Sequence, residues 1–151
     1  MSFPATALAT LLGIGRAPVA PGTWASLVAL PLAWGIVSLG GIPLLAAWAF
    51  VAAAFGIWAC DIYVRESGKP DPSECVIDEL AGQWIACLAA PLSLTGYALA
   101  FVLFRLFDIW KPWPISATER AHGGLGVMLD DLVAGLFAAV IIAAVRAAGL
   151  L

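Results

Sequence analysis

Ile42 to Ala59, IPLLAAWAFVAAAFGIWA, runs for 18 residues without a charged side chain. That is about the least a helix needs to cross the roughly 30 Å hydrocarbon core of a bilayer. A segment apolar on every side has no face for water to solvate. Trp24 to Leu39, WASLVALPLAWGIVSL, is nearly as apolar, and Gly40-Gly41 supplies a short turn between the two. Leu132 to Leu151 is a further run of this kind, with Arg146 close enough to its end to snorkel. A chain of 151 residues that is 63% hydrophobic and 11% charged has too small a core to hide such segments. Soluble domains average roughly 45–50% apolar and about 25% charged residues. The mean hydropathy of +1.01 points the same way, so the bilayer is the expected solvent.

The apolar run Leu80 to Phe104 is interrupted by APLSLTG at Ala90 to Gly96, whose Pro, Ser, Thr and Gly are turn formers. The interruption predicts a helical hairpin, Val76 to Ala90 going across and Leu94 to Trp110 coming back. Each arm would be about 22–26 Å long. The expected fold is therefore all-α, a single domain over residues 1–151. It would be a polytopic membrane helix bundle of about five membrane segments, including this short central hairpin.

Charge placement supports the hairpin. All ten acidic residues lie in two windows, Asp61 to Glu79 and Arg105 to Asp131, with five of the seven basic residues. A hairpin between the windows puts both on one side of the membrane, whereas a single span would separate them. Arg16 joins that side after the first hairpin, and the positive-inside rule makes it cytoplasmic.

Several classes are disfavoured. A net charge of −3 without a basic stripe argues against a nucleic-acid partner. Cys60, Cys75 and Cys87 are odd in number and form no CxxC pair, so neither a disulfide framework nor a zinc site is signalled. The opening MSFPATALATLLGIGRAP has no basic region ahead of its apolar part, and no cleaved leader is expected.

Four stretches could carry chemistry. In FRLFDIWKPWPI, Phe104 to Ile115, the charges Arg105, Asp108 and Lys111 recur every three residues and drift along one helix face. Pro112 and Pro114 then end the helix, leaving Lys111 in its last turn. Trp110 and Trp113 suit the headgroup level, and an interfacial anchor is the plain alternative. In DPSECVIDELAGQ, Asp71 to Gln83, the acidic pair Asp78-Glu79 opens an apolar helix, and Gly82 offers a smooth wall for close helix contact. The helix macrodipole would account for one such carboxylate. In HGGLGVMLDDLVAG, His122 to Gly135, Asp130-Asp131 lie at the mouth of a spanning segment behind a flexible Gly-rich loop. His122 reads as a hydrogen-bonded loop residue rather than a base. GIGRAPVAPGTWAS, Gly13 to Ser26, lacks both a preceding strand and GK[ST], which disfavours a dinucleotide fold or a P-loop. Its Arg16, Thr23 and Ser26 could still face a phosphate, or the stretch is an ordinary Pro/Gly turn.

Each signal is weak alone, but together they describe a site. Carboxylates from several helix ends on one side could surround a hard divalent cation, and oxygen ligands suit Mg²⁺ better than zinc. Arg105 and Lys111 could then neutralise a phosphate, while a free carboxylate acts as base.

The motifs APGTWAS, VIDELAGQ, FRLFDIWKPWPI and HGGLGVMLDD with its following VAG occur in order over most of the chain. On these residues the sequence resembles the bacterial phosphatidylglycerophosphatase A family. The resemblance implies a Mg²⁺-dependent phosphatase that removes the terminal phosphate of phosphatidylglycerophosphate. Its place would be the bacterial inner membrane, multi-pass, with the active site facing the cytoplasm. The expected metal ligands are Asp78, Glu79, Asp130 and Asp131, and the expected catalytic groups are Glu79, Asp108 and Asp131, their division of labour open. Arg105, Lys111, Arg16, Thr23 and Ser26 are the expected phosphate contacts. The partner is a phospholipid substrate in the bilayer; oligomeric state is left open. Alternatives are a broader phosphatidate or lysophosphatidate phosphatase and, in a different class, a small membrane transporter subunit, which would place its charges near segment midplanes. A CDP-alcohol phosphotransferase would need DGxxAR followed by GxxxDxxxD, which the chain lacks.

Overall fold

The computed structural model describes residues 2–118 and 120–151. Among them all regular structure is helical: α1 Phe3–Ala9, a 3₁₀ turn Ile14–Arg16, α2 Pro21–Ser67, α3 Ile77–Ala89, α4 Leu94–Trp110, α5 Ile115–Thr118 and α6 Gly123–Ala147. The α2 helix is continuous in hydrogen bonding but not straight. Gly41 leaves helical space at φ 72, ψ −171, a conformation that only glycine adopts cheaply. A straight helix of 47 residues would stretch about 70 Å. Instead Gly22 lies against Glu79 while Gly56 lies against Ile77, so both ends of α2 meet the start of α3. Residues 21–40 and 42–67 are therefore two antiparallel arms, and the turn expected at Gly40-Gly41 is present.

The second expected hairpin is present as well, Ile77–Ala89 and Leu94–Trp110 against the anticipated 76–90 and 94–110. Ser93 caps α4 by accepting a hydrogen bond from Gly96 N at 3.1 Å, a contact worth about 1 kcal/mol. Its arms, of 13 and 17 residues, span about 20 and 26 Å. Two helices, α2 and α6, are long and apolar enough to cross a membrane. Only 17% of the apolar window of α2 is buried, unlike the core helix of a soluble protein. Leu39, Phe50, Leu94, Val102 and Ile109 are likewise exposed, an outward apolar surface suited to lipid.

The interior is built from small residues. Ala81 and Ala86 of α3 and Ala134 and Ala138 of α6 are fully buried, which lets the backbones approach closely. The α3–α6 crossing places Gly82 against Gly135: a Cβ on Gly135 would collide with the Gly82 carbonyl oxygen. A Cβ on Gly82 would lie 2.5 Å from the Asp131 carbonyl oxygen and 2.6 Å from the Phe104 ring. Thus α3 and α6 run side by side in the same direction, and α4 returns against both. At the far end Arg146 donates to the Ala89 carbonyl at 2.9 Å, satisfying a helix-end acceptor.

Two local expectations are corrected. The glycines after His122 are not a loop but the first turn of α6, because Gly124 packs where a Cβ would strike the Ile57 carbonyl. Asp130-Asp131 therefore sit two turns inside a helix, so helix capping does not account for them. Lys111 is not in the last turn of α4 but is its C-cap, in the left-handed region at φ 47.

Gly135→Ala tests the crossing. Overpacking here should cost about 1–3 kcal/mol and lower Tm in detergent. An unchanged Tm would mean that α3 and α6 do not touch at this point.

Candidate functional site

The two charged windows converge at one end of the bundle. A cavity of ≈ 280 Å³ there is lined by Asp78 and Glu79 from the first turn of α3, Arg105, Asp108 and Lys111 from the end of α4, and Asp130 and Asp131 from α6. Ala20, Pro21 and Gly22 close it from the start of α2. One oxygen each of Asp78, Glu79 and Asp131 lies within 4.8 Å of the others. The Gly82–Gly135 crossing causes this proximity, since it lies one turn further along both helices.

The charges fall into distinct groups. Arg105 pairs with Asp108 along α4, and Lys111 Nζ reaches across to Asp130 Oδ2 at 2.5 Å. Asp78, Glu79 and Asp131 have no basic partner of this kind among the described residues. Glu79 Oε2 and Asp131 Oδ2 are buried without a hydrogen-bond donor among the described residues, and Asp131 is only 2% exposed. Carboxylates crowded in a low-dielectric site repel one another and demand a counter-charge. Hard oxygen donors at this separation, with two oxygens lacking donors, fit a divalent cation such as Mg²⁺. In the segment that joins α2 to α3, Lys69 holds the Glu74 carboxyl below its ordinary value through a 3.0 Å ion pair, with a smaller pull from Arg16.

The structure thus brings together Asp78, Glu79, Asp108, Asp130, Asp131, Arg105 and Lys111. Asp130, expected as a metal ligand, is engaged by Lys111 and lies outside the group of three. Arg16, Thr23 and Ser26, expected at the phosphate, do not line the cavity. The buried Ser26 hydroxyl donates to the Gly22 carbonyl one turn back, and Arg16 faces solvent at the end of the 3₁₀ turn. His122, the N-cap of α6, lines a neighbouring chamber instead.

Sequence reasoning missed Gly22, Asp71, Ser73 and Cys75, which also line the cavity. The signal for Gly22 was its place in PGTW, but its role is not to offer an N–H group. A Cβ there would collide with Glu79 Oε1 and lie 3.3 Å from Arg105 Nη1. Its bare Cα is the wall that fixes both side chains. Ala20 and Lys111, both lining the cavity, each adopt φ near 47 immediately before a proline. That conformation is costly there and is held by the surrounding packing.

The family model for phosphatidylglycerophosphatase A matches residues 7–146. The chain is 38% identical over 141 residues to phosphatidylglycerophosphatase A of Escherichia coli, covering 92% of this chain and 81% of that protein. It is 34% identical over 145 residues to the enzyme of the same name from Haemophilus influenzae, covering 95% and 89%. A Bacteroides thetaiotaomicron protein, provisionally named a phosphatidylinositol-3-phosphatase, is 37% identical over 155 residues, covering 96% and 95%. No solved structure matches the chain.

Gly22→Ala should displace Glu79 and Arg105, whose flexible ends can move, while leaving the helices intact. Misplacement on the ångström scale should lower turnover roughly 100-fold with little change in Tm. A parallel loss of Tm would make Gly22 a packing residue instead.

Proposed function

The chain belongs to the phosphatidylglycerophosphatase A family, a family of phosphatases, and we propose that it hydrolyses the terminal phosphomonoester of phosphatidylglycerophosphate. The products are phosphatidylglycerol and inorganic phosphate, and the reaction depends on Mg²⁺. The observation that carries this reading is the group Asp78, Glu79 and Asp131, oxygens within 4.8 Å, bordered by Arg105 and Lys111 in one cavity.

Each residue has a role that its position supports. Asp78, Glu79 and Asp131 would hold the cation, which when bound supplies Lewis-acid polarisation of a phosphoryl oxygen. Arg105 and Lys111 neutralise the phosphate oxygens, the first by forked hydrogen bonds and the second as a point charge. Asp108 and Asp130 hold these cations in place, so that neither has to reorganise as charge moves onto the leaving oxygen. A cluster carboxylate accepts the proton of the attacking water as the new P–O bond forms. The P–O bond to the glycerol breaks, and the alkoxide takes a proton to become the hydroxyl of the product lipid.

The same reading makes the chain a bacterial inner-membrane protein of about five segments. Its α3–α4 hairpin is shallow and its site faces the cytoplasm. Six of the seven basic residues, all but Arg146, fall on the side assigned to the cytoplasm. A broader lipid phosphomonoesterase is the second reading, favoured by the likeness to the Bacteroides protein.

Phosphate release in detergent micelles should require Mg²⁺ and stop with excess chelator. Release that persists in chelator would sink the metal role. Asp131→Asn should raise Tm in chelator, because it removes repulsion, and should erase any Mg²⁺-induced rise in Tm. Asp108→Asn, which releases Arg105, should lower turnover roughly 100-fold while membrane insertion continues; near-normal turnover would exclude Asp108.

A further inference from the structure

We propose that one acyl chain of the lipid substrate lies in a groove on the outer face of α4, which meets the carboxylate cavity at Arg105. This rests on the lipid phosphatase reading above. The groove, ≈ 350 Å³, is lined by Phe101, Val102, Arg105, Leu106, Ile109 and Trp110. Every lining side chain but Arg105 is apolar, and Val102, Ile109 and Trp110 are exposed. Arg105 also lines the cavity that holds Asp78, Glu79 and Asp131. One side chain therefore joins an apolar surface to a charged chamber. Its Nη1 meets Asp108, which holds the guanidinium where the groove and the cavity join.

Depth and alternatives agree with this occupant. Arg105 is five residues from Trp110, about 8 Å along the helix. With the exposed indole of Trp110 at headgroup level, the guanidinium sits near the boundary between headgroup and acyl chains. The other apolar groove, between Gly13 and Val28, has ≈ 530 Å³ but shares no lining residue with the carboxylate cavity. A more polar chamber of ≈ 450 Å³, lined in part by His122, shares Asp71, Lys111, Val127 and Asp130 with it but no residue with the α4 groove. The reacting centre thus lies between an apolar approach past Arg105 and a polar one past Lys111. A lipid would enter with its chains along α4, and water and phosphate would exchange on the Lys111 side.

The test compares diacyl phosphatidylglycerophosphate with its water-soluble deacylated counterpart. Val102→Trp and Ile109→Trp, which fill the groove, should raise KM for the diacyl substrate about tenfold with kcat held. KM for the deacylated compound should not move. Equal effects on both substrates, or none on either, would overturn the groove. A second measurement uses phosphatidylglycerol carrying a diazirine on its acyl chain. Labelling concentrated on residues 101–110 and displaced by unlabelled substrate supports the proposal. Labelling spread over the outer faces of α2 and α6 and not displaced means annular lipid only and overturns it. If wild-type protein releases no phosphate from either compound, the activity is wrong, and the labelling pattern alone then decides the groove.

Discussion

The absence of side chains at Gly82 and Gly135 decides where the charges of this chain end up. At that crossing the α3 and α6 backbones approach more closely than any Cβ would permit. Asp78 and Glu79 lie about one turn before the crossing on α3, and Asp131 one turn before it on α6. A wider crossing would separate carboxylates whose oxygens now lie within 4.8 Å of one another. Phe104 packs over the same glycine from α4, so the approach also fixes Arg105 and Asp108 on the third wall. A buried triple of acids cannot stabilise the fold by itself. Its desolvation and mutual repulsion are offset by packing elsewhere, and in the proposed reaction by a cation.

Around that triple the chain distributes opposite charge with restraint. Two basic side chains enter the cavity, each already matched to a carboxylate, Arg105 to Asp108 and Lys111 to Asp130. The arrangement keeps both cations aimed inward without cancelling the acidic triple. Gly22 completes the geometry from the α2 side by giving Glu79 and Arg105 a flat surface to rest on. Two of the residues that line the cavity, Ala20 and Lys111, adopt left-handed backbone ahead of proline. Local cost of this kind tends to collect where a site must be held in one shape.

The position of the site in the fold follows from the same economy. All its charged side chains project from one end of the bundle, where short helices α3 and α4 begin and finish. Trp110 and Trp113 are exposed at that end, as suits side chains that would meet lipid headgroups in the proposed membrane placement. A lipid phosphatase needs an active centre that is polar yet reachable without pulling acyl chains into water. A cavity open past Arg105 to an apolar helix face and past Lys111 to a polar chamber meets both requirements.

Hydropathy and turn chemistry were enough to read the all-helical class, both hairpins and the convergence of the two acidic windows, because these depend on short stretches considered one at a time. The Gly40-Gly41 turn and the 94–110 helix were legible for that reason. So were all the charged side chains that line the cavity except Asp71, since polar groups beside long apolar runs stand out. The glycine-rich start of α6 misled, because its helical state comes from packing against Ile57 and Asp61, more than sixty residues away in sequence. Ser26 and Arg16 misled because proximity to a motif does not reveal which way a side chain points. Which carboxylates form the group of three, that Asp130 belongs to Lys111, and that Gly22 is a wall were decided only by the tertiary structure. These are contacts between segments some twenty to sixty residues apart, set by how closely the helix backbones approach, and no local pattern encodes that distance.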